Sequence, residues 1–218
     1  MNAWRQMRRA IAMMRAGRYG DAAVLKADAA GTRALPEIEA QLGPVRGYMP
    51  VIDVDYLRNL PVGSFGRAYV DFLDANGISP LVISPELAEE VRRNTFAVRY
   101  VATHDMFHTV LGFDTSLPGE AGVYAFAAEQ KYSSRNELLL RSARVVYTLR
   151  KPWQWRQIRD AIRLGRALGR RARMLLAFRF EEHWERPLAE LRELLGIDPR
   201  GAAALHADPS PSATLPSA

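Results

Sequence analysis

The 218-residue chain has no cysteine. That excludes a disulfide framework, thiolate catalysis, Cys-ligated zinc and cysteine-bound iron–sulfur clusters. Any metal site must be assembled from His, Asp and Glu, and only four histidines are present. Lysine is nearly missing as well: Lys26, Lys131 and Lys151 are the only three, so 27 of the 30 cations are arginine. Charge interrupts every apolar stretch well short of the ~18 residues that a membrane-spanning helix needs. The sequence has no GxSxG elbow and no phosphate-binding Walker loop. The Gly63-x-x-Gly66 spacing lacks the strand-before-helix context of a dinucleotide loop. Strand-like alternation is scarce, and no internal repeat is evident.

What is present describes a globular protein. Hydrophobic residues make up 48% and charged residues 25% of the chain, and the net charge is +6. This is enough apolar material for one sizeable core. Residues 1–19 carry Arg5, Arg8, Arg9, Arg15 and Arg18 with no acid. They lack the apolar run of a secretory signal and the Ser and Thr of an organellar presequence, so they read as an amphipathic first helix. The last twenty residues, 199–218, hold four prolines and little that could form a core, and read as a disordered tail. The expected organisation is therefore one all-α domain over 1–198, followed by that tail.

Helix punctuation divides the domain. Ser64 reads as an N-cap and Gly77 as a stop, with Tyr69, Phe72 and Leu73 on one side of the helix between them. Ser84-Pro85-Glu86 starts another helix, with proline at its first position and an acid in the first turn. The next spans 95–111 and stops at Gly112, and a further one begins near Gly119 or Glu120 and runs past Ala128. The longest candidate covers 153–180. A final amphipathic helix follows Pro187 with Leu188, Leu191, Leu194 and Leu195 inward, and Gly196 ends it. Val51-Ile52-Asp53-Val54 is the best strand candidate, although it lacks a partner.

Two of the four histidines share one window, His104-Asp105-Met106-Phe107-His108. Residues four apart on a helix stack on one face, so both imidazoles can meet one ion. Asp105 lies three before His108, at the edge of the same face. Past the Gly112 break the chain can fold back, and a carboxylate from the next helix, Glu120, closes the site. Two imidazole nitrogens with one or two carboxylates suit a divalent metal, zinc first and Fe(II) or Mn(II) also. The aspartate departs from the zinc-protease His-Glu-x-x-His: one methylene shorter, it places a general base differently. His183 and the tail's His206 read as non-ligands. Phe96 and Tyr100 read as core, Tyr124 and Phe126 stay open between core and site, and Trp184 and Glu185 read as packing and capping.

The string HDMFHTVLGFDTSLPGE, His-Asp-x-x-His followed by eleven residues and Glu, resembles the signature of the coenzyme Q (ubiquinone) biosynthesis subunit four family. LPVGSFGRAYVDFLDANGISP (60–80) is similar to that family's upstream block, and HWERPLAELRELLGI (183–197) to its C-terminal block. The resemblance implies a helical protein with His104, Asp105, His108 and Glu120 as metal-site residues. It also implies a polyprenylated 4-hydroxybenzoate intermediate as substrate, with oxidative removal of its ring C1 carboxylate leaving a hydroxyl. The alternative it implies is a non-catalytic, lipid-binding scaffold for other ubiquinone biosynthesis enzymes. Such oxidation needs a redox-capable ion or bound oxygen, because zinc supplies no electrons.

Residues 141–179 contain twelve cations and one acid, Asp160. Arg156, Arg159, Arg163, Arg166, Arg170 and Arg173 step by three and four along one helix face. A second stripe, Trp155, Ile158, Ile162, Gly165, Gly169, Ala172 and Leu176, has a small middle that admits a helix or a lipid chain. The basic face is either simply solvated or meets an anionic membrane, with Trp153 and Trp155 as interfacial anchors. Nucleic acid is not expected, since no aromatic platform or nucleic-acid-binding motif accompanies the arginines. The expected setting is cytoplasmic and peripherally membrane-associated, and a homo-oligomer stays open.

Overall fold

A computed structural model describes residues 3–133 and 136–198, together with Arg200. Among them are eleven α-helices: α1 Ala3–Arg15, α2 Tyr19–Ala29, α3 Pro36–Gln41, α4 Val54–Arg58, α5 Phe65–Asn76, α6 Ala88–Arg93, α7 Thr95–Leu111, α8 Leu117–Glu129, α9 Asn136–Arg150, α10 Trp155–Arg171 and α11 Leu188–Leu195. No strand occurs among the described residues; one isolated bridge joins Ser64 to Pro187. The single domain is all-α, as the sequence predicts. The expected tail, 199–218, lies outside the described residues apart from Arg200.

Helix boundaries follow local chemistry where caps are strong. Ser64 Oγ accepts from the Arg67 N–H at 3.3 Å, and Gly77 closes α5 at φ +61°. Asn94 Oδ1 accepts from the Ala97 N–H at the start of α7, and Gly112 ends that helix at φ +78°. Ser116 Oγ accepts from Gly119 N–H, so α8 starts at Leu117, two residues before the predicted glycine. The Ser84-Pro85 start gives a single 3₁₀ turn, Pro85–Leu87, and only then α6.

Two expectations are corrected. Val51–Val54 forms no strand: Asp53 Oδ1 accepts from Tyr56 N–H at 2.9 Å and caps α4 instead. The helix expected over 153–180 starts at Trp155, after a 3₁₀ turn, and ends at Arg171. Ala172 turns extended, and Arg173 N–H donates to the Leu195 carbonyl at 2.9 Å. Tertiary contact with the end of α11 redirects the chain there, and Leu175, Leu176 and Phe180 drop into the core.

The core gathers around α7. Phe107, Val110 and Leu111 join Phe65, Tyr69, Leu73, Phe126, Leu191 and Leu195 in the main cluster. Another side of α7, with Val98 and Val101, meets a second cluster built with α1 and α2 from Ala10, Val24 and Leu25. The end of α7 is tied down by Arg192, whose guanidinium donates to the carbonyls of Thr109 and Val110. Trp184 stacks on Phe65 at 5.0 Å, and Glu185 accepts from the Tyr56 hydroxyl.

The small stripe of α10 is explained by a helix. A Cβ on Gly165 would stand 2.1 Å from the Gly122 carbonyl oxygen, and one on Gly169 would stand 2.8 Å from Glu129 Cβ. So α10 lies backbone to backbone against α8, the helix that carries Glu120. From the arginine stripe, Arg166 and Arg170 pair with Glu129 at 3.3 and 3.6 Å. Arg159 and Arg163 face Asp160.

Candidate metal centre

Helix α7 presents Phe96, Tyr100, His104 and His108 at four-residue intervals. The Gly112 stop and the Ser116 cap reverse the chain within a few residues, so the first turn of α8 brings Glu120 across the two imidazoles. Atoms of His104, His108 and Glu120 lie within 4.8 Å of one another. His104 Nε2 is 3.8 Å from Glu120 Oε2, and His108 Nε2 is 3.5 Å from Glu120 Oε1.

Asp105 stands outside this trio. Its Oδ1 lies 3.7 Å from His104 Nδ1, on the far side of the ring from Glu120, and it borders a surface cleft with Arg18, Ser79 and Val82. The structure therefore brings three of the four sequence-predicted residues together and sets the fourth behind one of them. His183 stacks on Phe178 away from the cluster, and His206 lies outside the described residues.

His108 is fixed on both sides. Its ring stacks on Phe72, and its Nδ1 lies 3.2 Å from the Phe113 carbonyl oxygen. A carbonyl only accepts, so Nδ1 carries a hydrogen, and in the neutral ring the lone pair falls to Nε2. That Nε2 is buried and has no hydrogen-bond partner. An orphaned, lone-pair-bearing nitrogen beside a second imidazole and a carboxylate fits a divalent cation, because the ligand set offers neutral nitrogen and anionic oxygen. Neither Phe72 nor the Phe113 carbonyl is legible from spacing, since one comes from another helix and the other is backbone.

Charge is mutually stabilised here. Burial pushes His104 down, but the carboxylates of Asp105 and Glu120 outweigh it and hold the imidazole above its ordinary value. Burial pushes Glu120 up, and the facing His108 and His104 outweigh that, leaving the carboxyl below its usual range. Beyond the trio stand phenols. Tyr100 meets His104 edge-on at 5.7 Å between ring centres. Its hydroxyl oxygen is buried without a hydrogen-bond partner.

The family model described as coenzyme Q (ubiquinone) biosynthesis protein Coq4 matches residues 48–200. The chain belongs to the Coq4 family. The mouse protein named "Ubiquinone biosynthesis protein COQ4 homolog, mitochondrial" is 34% identical over 161 residues, covering 69% of this chain and 56% of its own. The human protein of the same name is 33% identical over 156 residues, covering 67% and 55%. This chain thus spans a little over half the length of the curated Coq4 relatives it matches. A crystal structure provisionally described as that of a ubiquinone biosynthesis protein from Nostoc punctiforme superimposes with a TM-score of 0.60 at 23% identity, covering 90% of this chain and 97% of that one. That likeness shows a shared fold. The Coq4 match begins at residue 48, so helices α1 to α3 precede it.

Proposed function

We propose that this Coq4-family chain acts in ubiquinone biosynthesis as a metal-dependent enzyme on a polyprenylated 4-hydroxybenzoate, replacing the ring C1 carboxylate by a hydroxyl. The observation that carries the reading is the buried, unpartnered Nε2 of His108 aimed at Glu120 with His104 alongside. His104, His108 and Glu120 would hold the ion, and Asp105 stands 3.7 Å from His104 Nδ1, the side from which an outer carboxylate steadies a metal-bound histidine. A bound divalent ion supplies a Lewis acid that neutralises the substrate carboxylate.

The remaining work belongs to the protein. Phe72 and the Phe113 carbonyl fix the His108 ring, so its lone pair faces the site in one tautomer. His108 is buried and His104 and Glu120 are half-buried, a setting that limits water and strengthens charge interactions at the trio. Exchange of carboxylate for hydroxyl breaks the C1–carboxyl bond with loss of CO2 and forms a C1–O bond; with water supplying the oxygen atom, the two electrons and two protons released pass to dioxygen, which leaves as hydrogen peroxide.

The setting is the surface of an anionic membrane. No helix among the described residues is long and apolar enough to cross a bilayer. The turn between α9 and α10 exposes Leu149 and Trp153, with Val145, Val146 and Trp155 beside them. Arg156 and Arg159 lie over the Trp155 ring. Apolar anchors rimmed by arginine suit anionic lipid.

The deciding measurement is metal content by elemental mass spectrometry, wild type beside His108→Ala, followed by aerobic and anaerobic turnover. Near one equivalent in the wild type, lost in the variant, with oxygen-dependent turnover, supports the enzyme. A bound ion without turnover supports the lipid-binding scaffold, in which the metal only ties α7 to α8. Absence of metal after add-back overturns the metal centre.

A further inference from the structure

One polar atom beside the trio has no structural task. The Tyr100 hydroxyl is buried and makes no hydrogen bond, although an unpaired buried polar group costs about 1–3 kcal/mol and phenylalanine would fill the same space without that penalty. The ring itself is well held, stacked on Phe96 and edge-on to both His104 and Phe107, so packing accounts for the ring and not for its oxygen.

The surroundings are phenolic. Tyr100 precedes His104 by one turn on α7, and Tyr124 follows Glu120 by one turn on α8. Tyr147 from α9 completes the group: burial raises Tyr100, Tyr124 and Tyr147, the Glu120 carboxylate adds to the effect on each, and Tyr132, just past α8, also bears on Tyr100. Three helices thus contribute one tyrosine each beyond the candidate ligands.

We infer that Tyr100, flanked by Tyr124 and Tyr147, forms a phenol-lined subsite that receives the ring hydroxyl of an aromatic carboxylate held at the trio, with Tyr100 donating the hydrogen bond. The inference rests on the aromatic-carboxylate reading above. It makes Tyr100 a specificity-determining residue: an acid with the ring hydroxyl satisfies the orphaned phenol, and an acid without it leaves the phenol unpaired. Sites built to pair a substrate hydroxyl reject analogues that lack it for this reason.

The test is a two-by-two comparison on the metal-loaded full chain. 3-Geranyl-4-hydroxybenzoate and 3-geranylbenzoate are titrated by calorimetry into wild type and Tyr100→Phe, with metal content and melting temperature recorded for each. The wild type is expected to bind the hydroxylated acid about tenfold more tightly, the scale of one good hydrogen bond. In Tyr100→Phe that preference falls to within about twofold, entirely by weakening of the hydroxylated acid, while metal content holds and the melting temperature is equal or higher. Should the variant melt lower, Tyr124→Phe carries the same comparison. Preference retained in the variants, equal weakening of both acids, or no preference in the wild type overturns the inference and leaves the metal centre standing. Failure of metal-loaded wild type to bind either acid overturns the aromatic-carboxylate reading itself.

Discussion

His108 donates its Nδ1 hydrogen to the carbonyl oxygen of Phe113, the residue just past the Gly112 stop, at 3.2 Å. One hydrogen bond thus couples the end of α7 to the tautomer of a candidate ligand. Any change that moves the 112–116 link also turns the imidazole. Gly112 sits at φ +78°, a conformation a side chain adopts only with strain of the order of 1 kcal/mol or more. Gly112→Ala is therefore expected to weaken metal affinity by roughly tenfold or more, as loss of an outer partner does, while all three ligands remain. Competition with a fluorescent chelator measures it; unchanged affinity removes the coupling.

The paired charges of the trio set a pH window for the metal-free protein. Glu120 is depressed in the folded state, so its contribution is present above the ordinary carboxyl value of about 4.3 and is lost as pH falls through the folded one. His104 is raised, so its contribution is complete below about 6.5 and is lost as pH climbs through the folded value. The local contribution is greatest between about pH 4.5 and 6.5. Saturating zinc reverses the alkaline side, because metal binding requires neutral imidazole. Melting curves across pH, with and without zinc, check both limbs; an alkaline decline that zinc does not oppose contradicts the assignment.

Much of this site was legible in sequence because it depends on local rules. The four-residue spacing of His104 and His108 is a helix-face statement, and Gly112 with Glu120 is a reversal statement. Asp105 shows the limit: its place behind His104 depends on side-chain direction, which spacing leaves open. The end of α10 was illegible because the Leu195 carbonyl, not a breaker, captures the Arg173 N–H. Helix α9 is hard to read from the sequence because three of its described apolar residues, Val145, Val146 and Leu149, face outward. Tyr147 was lost with it, and Tyr100 read as core because only its ring is.

Gly165 offers a test of the α8–α10 contact. In an exposed helix interior Gly→Ala gains about 1 kcal/mol. Here the added Cβ would lie 2.1 Å from the Gly122 carbonyl oxygen, so sterics reverse the sign. Gly165→Ala is expected to destabilise by about 2–3 kcal/mol, lowering the melting temperature by roughly 4–12 °C in a chain of this size. A neutral or stabilised variant would mean that the helices do not meet backbone to backbone.

The Arg99–Glu181 pair gives a buried counterpart. Arg99 is fully buried, donates to Glu181 at 2.8 Å and to the Phe178 carbonyl at 2.9 Å, and ties α7 to the chain before α11. Arg99→Met strands a carboxylate in the interior, at about 3–5 kcal/mol. Arg99→Met with Glu181→Leu removes both charges and should recover more than half of that. Urea titrations of the two singles and the double give the coupling directly; additive losses would show that the ion pair is not the source.

Membrane docking through the α9–α10 turn makes a prediction with two independent readouts. Trp153 and Leu149 are 73% and 76% exposed, more than most large apolar residues, and the flanking arginines give the surface its sign. Binding to vesicles containing phosphatidylserine should exceed binding to neutral phosphatidylcholine vesicles at least tenfold near 0.1 M salt, falling as salt screens it. Trp153→Ala should weaken binding several-fold without changing its salt slope, and Arg156→Gln/Arg159→Gln should flatten the slope and leave tryptophan burial partly intact. The separation follows because apolar insertion is insensitive to screening and charge attraction is not. Equal binding to both vesicles, or a tryptophan emission unmoved by either, would take this surface away from the bilayer.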